Sequence, residues 1–116
     1  MPKKSLIIVR GQFEFCHRYA TAPAEVAYLR NLHRHMFNYE VELEVFHDDR
    51  ELEFIMVKHD IDGYLARRNE DWEEKTSCEQ MAKCIGLYLQ TKYGFERSLS
   101  VSIFEDNENG AKVIMM

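Results

Sequence analysis

Tyr39-Glu40-Val41-Glu42-Leu43-Glu44-Val45 is the stretch from which the fold is read. Apolar side chains at 39, 41, 43 and 45 alternate with glutamates at 40, 42 and 44. A period of two residues places one face of a strand in a core and leaves the other polar. His47-Asp48-Asp49-Arg50 then ends the strand as a polar turn.

Upstream, Leu6-Ile7-Ile8-Val9 continues through Phe13 and Phe15, with enough β-branched content for a second strand. Residues 18–32 read as a loop, with a short helix after Pro23. Downstream, Val57, Ile61, Tyr64 and Leu65 fall on one helical stripe. Thr76-Ser77-Cys78-Glu79 has the capping-box pattern, Thr76 accepting from the N–H three residues on and Glu79 answering back. Cys78, Met81, Ala82, Ile85 and Leu89 then supply the buried face of a second helix, and Gly94 its stop. Leu99, Val101 and Ile103 alternate with Ser98, Ser100 and Ser102 as a third strand. A turn over 106–110 leads into a fourth at 111–116. Strands segregated from helices in this order predict an α+β domain, a four-stranded antiparallel sheet with two helices on one face.

The composition sets bounds. With 116 residues and 13.8 kDa, the chain is expected to form one domain over 1–116, with no linker or repeat. Hydrophobic residues at 46% and charged ones at 30% are the balance of a globular protein. Twenty acidic against 15 basic residues give a net charge of -5, which argues against nucleic acid as a partner. No apolar run exceeds four residues, so neither a membrane span nor, after the basic start, a signal peptide is expected. Cys16, Cys78 and Cys84, an odd number without CxxC spacing, suggest free thiols in a reducing cytoplasm. A domain of this size buries only about two-thirds of its extended-chain surface, so self-association is a natural supplement.

His33 and His35 bracket Arg34 just before the alternating strand. In extended backbone, residues i and i+2 share a face. With His17 from the end of the first strand they would make a three-histidine site with an open fourth position, the catalytic type of zinc site. The same two histidines also read simply as surface residues. Cys16, next to His17, points to the opposite face and is expected to be a buried small hydrophobe. Cys78 fits the buried stripe of the second helix, away from the metal segment.

Four segments together resemble the 6-pyruvoyl-tetrahydropterin synthase and 6-carboxytetrahydropterin synthase family. Phe13-Glu14-Phe15-Cys16-His17-Arg18 is similar to its F-x-A-A-H segment, and Leu32-His33-Arg34-His35-Met36-Phe37 to its L-H-G-H-x-(F/Y) segment. Thr76-Ser77-Cys78-Glu79-Gln80-Met81-Ala82 resembles P-T-x-E-x-x-A, and Val101-Ser102-Ile103-Phe104-Glu105 resembles V-x-V-x-E. They come in the family's order over nearly the whole chain. The resemblance implies a tunnelling fold (T-fold) whose sheets join into a barrel, as homo-oligomers, trimers or hexamers, with sites between subunits. It implies zinc on His17, His33 and His35, and lyase chemistry on a pterin in tetrahydrobiopterin or queuosine biosynthesis. It also implies that Glu105 anchors the pterin by accepting from its 2-amino and ring N–H groups; otherwise Glu105 is a solvated acid ahead of the turn.

The match departs from the family at its base. Leu29 stands where family enzymes carry the cysteine of C-x-x-x-H-x-H, and leucine cannot accept a proton. The stretch 66–72 has no histidine to match the family's Asp-His pair. Arg34 replaces a glycine; it suits either a ligand phosphate or a subunit interface. Glu25 is the candidate substitute base. Three functions follow: a metal-binding pterin-site protein with altered or lost lyase chemistry, an active lyase using Glu25, or a non-catalytic ligand-binding or assembly protein.

Overall fold

The alternation at 39–45 belongs to a longer strand. In the computed structural model, which describes residues 3–68 and 72–116, β1 (Ser5–His17) and β2 (His33–Val45) pair antiparallel along 13 residues each. Ser5 stands opposite Val45 and His17 opposite His33. β3 (Leu99–Glu105) and β4 (Gly110–Met115) complete a sheet in the order β1-β2-β3-β4. Two helices, α1 (Phe54–Ala66) and α2 (Cys78–Tyr93), lie between β2 and β3 in sequence. The chain is thus α+β with the expected element order. The loop after β1 holds a short 3₁₀ segment, Ala24–Arg30, broken at Val26.

Odd-numbered strand residues face the helices. Val9 and Phe13 of β1, Phe37, Tyr39, Val41 and Leu43 of β2, and Leu99, Val101 and Ile103 of β3 form one buried cluster. Val57, Ile61 and Leu65 of α1 and Met81, Ala82, Ile85 and Leu89 of α2 cover them. Each such aliphatic side chain contributes about 1.5–3 kcal/mol on burial, so this layer is the main source of cohesion. Trp72 closes the end near the histidines, its ring edge-on to Phe13 and Phe15 at 5.6 and 5.4 Å.

The cap of α2 sits one residue later than the sequence pattern suggests. Ser77 accepts from the Gln80 N–H and Gln80 Oε1 accepts from the Ser77 N–H. The Thr76 hydroxyl is engaged elsewhere, accepting from the Glu73 N–H at 3.0 Å. Gly94 ends the helix with φ at 120°, a conformation that favours glycine. At Gly110 a Cβ would lie 1.8 Å from the Ile103 carbonyl oxygen, so only glycine lets β4 start there.

The far face of the sheet carries the charges. Glu40 pairs with Arg10 at 2.7 Å, Glu42 with Lys112 at 3.3 Å, and Glu44 accepts from the Ser98 N–H at 2.8 Å. Ser100 and Ser102 are buried on this face, because β3 lies inside the sheet, and Ser100 donates to Glu42 at 3.1 Å, which Lys112 pairs with in turn. Cys16 also points this way and is exposed, which corrects its reading as a buried residue. Its even position turns it from the core, where a small apolar group would be covered. Among the described residues no helix is long and apolar enough to cross a membrane.

Candidate metal centre

The β1–β2 register brings the three histidines together. His17 and His33 are direct cross-strand partners, and His35 follows two residues on, on the same helix-facing side. Their ligand atoms all lie within 4.8 Å of one another. The ring centroids are 4.6 Å apart for His17 and His33, 4.8 Å for His33 and His35, and 5.6 Å for His17 and His35.

Each ring is held from behind. His17 Nδ1 lies 3.1 Å from the Thr76 carbonyl oxygen, His33 Nδ1 2.9 Å from that of Asn31, and His35 Nδ1 2.6 Å from Asp106 Oδ2. Carbonyls and ionised carboxylates only accept, so in each pair Nδ1 is the donor, which leaves Nε2 as the ligating atom of the neutral ring. Outer partners of this kind commonly orient metal-binding histidines. His17 is buried, and among the described residues its Nε2 has no hydrogen-bond partner. Glu105 Oε1 lies 3.2 Å from it, outside hydrogen-bond geometry. Burial, foremost, holds the His17 imidazole below its ordinary value; the Thr76 carbonyl and Glu105 oppose the shift, while His33 and His35 add to it. A neutral, buried, unpartnered nitrogen among two more imidazoles suits a cation that accepts nitrogen ligands. The donor set fits zinc.

Glu105 ends β3 at the same place. Its Oε2 is 3.4 Å from His35 Nε2, and its Oε1 is 3.9 Å from Cys78 Sγ. Cys78 was expected to lie away from the metal segment; the start of α2 instead brings it to the wall of the same cavity. Burial, foremost, pushes its thiol up to about 12, and Glu105 and Glu79 add to the shift. The cavity is about 760 Å³, with His17, His33, Leu29, Thr76, Cys78 and Glu105 on its wall.

Leu29 therefore does stand at the site, an apolar group where the resemblance expects a thiol. Glu25 is exposed on the 3₁₀ segment and does not line the cavity. Arg34 pairs with Glu14 at 2.8 Å on the far face of the sheet, away from the histidines. Of the stretch 66–72, residues Asn69, Glu70 and Asp71 lie outside the described residues.

Sequence reasoning missed the outer partners. Asp106 was legible only as part of a turn, yet pairing Phe37 with Glu105 puts the next residue beside His35. The carbonyls of Thr76 and Asn31 leave no signal, because any residue type supplies a carbonyl. Neither a family model nor a curated protein matches this chain.

Proposed function

We propose that this chain is a zinc-binding protein of the T-fold type whose cavity takes a pterin-like heterocycle, with the lyase chemistry of the resembling family altered or lost. The observation that carries the reading is the set of three imidazoles, each with Nδ1 donated to an acceptor and Nε2 left to bind. Zinc held by His17, His33 and His35 would supply a Lewis acid for a ligand oxygen. Glu105 offers the heterocycle two acceptor atoms for parallel N–H donors. The groups weighed as base do not support a conventional proton transfer. Leu29 cannot take a proton, and Glu25 stands off the cavity.

Assembly belongs to the same proposal. The sheet ends in β1 on one side and β4 on the other. Joining these edges between chains would close a barrel with the helices outside, as a trimer or as trimers stacked into a hexamer.

The test is a zinc determination on dialysed protein, followed by incubation with dihydroneopterin triphosphate. We expect close to one zinc per chain, quenching of pterin fluorescence on binding, and no release of triphosphate. Protein that neither retains nor takes up zinc removes the metal centre. Catalytic triphosphate release would restore the lyase reading.

A further inference from the structure

We propose that Glu105 is a displaceable fourth ligand of the metal, closing its coordination sphere in the ligand-free chain and leaving it when a heterocycle with N–H donors enters. The inference rests on the metal and ligand readings above. It concerns what holds the fourth position before a ligand arrives.

At the cluster the Glu105 carboxylate faces two imidazole nitrogens. With each Nδ1 turned to an acceptor, the Nε2 atoms of His17 and His35 are the ones that face the cluster, and in a neutral ring Nε2 carries the lone pair. Glu105 brings Oε1 to 3.2 Å from the first and Oε2 to 3.4 Å from the second. The carboxylate is 35% exposed and opens onto the cavity, and the Cys78 thiol donates to its Oε1 at 3.9 Å. Carboxylate oxygens opposed to imidazole lone pairs repel unless a cation lies between them. One proton would serve one of the two contacts only. Two protons would make adjacent imidazoliums with ring centroids 5.6 Å apart, one of them on buried His17. A single divalent ion bound to both nitrogens and to the carboxylate serves both contacts at once. Ligand atoms about 2.0–2.2 Å from a tetrahedral zinc stand roughly 3.3–3.5 Å from each other. Each oxygen stands close to that spacing from one nitrogen, so a small rotation of the side chain would set one of them as the single fourth ligand.

The second half follows from where the carboxylate is mounted. Glu105 opens a tight turn, its N–H donating to the Asn109 carbonyl at 2.9 Å and its carbonyl accepting from the Glu108 N–H at 2.9 Å. The backbone is therefore fixed, and the carboxylate moves by side-chain rotation alone. A ligand that donates two parallel N–H groups competes with the metal for the same carboxylate. Capture of the ligand and opening of a coordination position then become one event, and the free chain does not expose an open metal.

Cobalt(II) in place of zinc makes the coordination visible, because the position and intensity of its absorption bands follow ligand number and type. Wild-type chain and Glu105→Gln would be titrated with cobalt, with circular dichroism as the check on folding. We expect Glu105→Gln to bind cobalt at least roughly tenfold more weakly and to shift the visible bands, a loss no smaller than removal of an outer partner produces. Equal affinity and identical bands in the two proteins would overturn the proposal while leaving the three-histidine site intact. Adding pterin to the wild-type cobalt protein should move its bands toward those of Glu105→Gln, and this arm needs no variant to fold. Pterin that binds, seen by its own fluorescence, without moving the bands overturns displacement. Wild-type chain that takes no cobalt overturns the metal reading itself, and cobalt protein that binds no pterin overturns the ligand reading.

Discussion

Asp106 holds two groups with one carboxylate. Its Oδ2 accepts from His35 Nδ1 at 2.6 Å and its Oδ1 from the Met36 N–H at 3.1 Å. The bond from His35, foremost, and then the Met36 N–H keep this acid below its ordinary value, so it is an anion at neutral pH. It sits in a turn in which Asp106 and Asn107 have φ of 51° and 59°, a backbone region that Asp and Asn tolerate better than most residues. An anion behind a ligating imidazole fixes the ring and raises its basicity. Asp106→Asn keeps the turn chemistry and an acceptor oxygen but removes the charge. We expect zinc affinity to fall about tenfold, the lower end for loss of an outer partner, in a competition titration against a chromophoric chelator. Unchanged affinity would reduce Asp106 to a turn residue. The same pair separates what sequence can and cannot reveal: spacing put three histidines within reach, whereas the partner of His35 lies 71 positions away and emerges only from pairing β2 with β3.

At the scale of elements, one ion pair ties the ends of three of them. Arg97, buried ahead of β3, donates to the carbonyls of Tyr93 at the end of α2 and Glu44 near the end of β2, both at 3.0 Å, and grips both oxygens of Glu51 before α1. The Arg97 guanidinium, foremost, and the Phe46 N–H hold the Glu51 carboxyl at about 2, against an ordinary value of 4.5. An acid lowered on folding binds protons more readily in the unfolded chain. Its stabilisation is therefore whole above pH 4.5 and drains as the pH falls toward 2. Urea midpoints should drop across that window for the wild type. Glu51→Gln should start lower at neutral pH and lose less on acidification; parallel pH profiles would assign the acid limb to other groups. None of this was readable beforehand, since an isolated Arg and Glu 46 positions apart carry no pattern. The elements themselves were legible wherever a period existed: β2 through its Val-Glu alternation, α2 through its apolar stripe, and the turn before β4 through Asn109-Gly110. The beginning of β2 was not. His33-Arg34-His35-Met36 has no apolar alternation, and it is strand because β1 supplies a partner for every residue. The cap of α2 moved by one residue because Glu73, which no capping rule considers, engages the Thr76 hydroxyl.

The whole molecule is larger in outline than its length requires. Its radius of gyration is 15.4 Å, against about 13 Å for a compact chain of this length, and its extents are 51 × 30 × 22 Å. Its accessible surface of 7491 Å² exceeds the roughly 6,600 Å² expected for a folded monomer of this mass. Part of the excess lies along the sheet edges and its far face, where Leu6, Ile8 and Ile114 are 41%, 51% and 63% exposed. Proteins seldom leave a long edge strand uncovered. Here side chains cover one half of it, with Lys58 and Arg68 donating to the carbonyls of Arg10 and Glu14. These two carbonyls lie on even-numbered residues of an outermost strand. Antiparallel pairing alternates inward and outward backbone groups, so the even residues of β1 turn theirs away from β2. The N–H of Ile8 is then an outward donor on the half of the edge that neither Lys58 nor Arg68 reaches, available to β4 of a second chain. Sedimentation velocity should give a trimer or hexamer of the 13.8-kDa chain. Ile8→Pro removes that single donor at a position where proline is tolerated on an edge. It should leave the circular dichroism of the subunit unchanged and lower the mass of the assembly. A wild-type chain that sediments as a monomer would exclude the barrel, and a variant that assembles like the wild type would place the subunit contact somewhere other than the β1 edge.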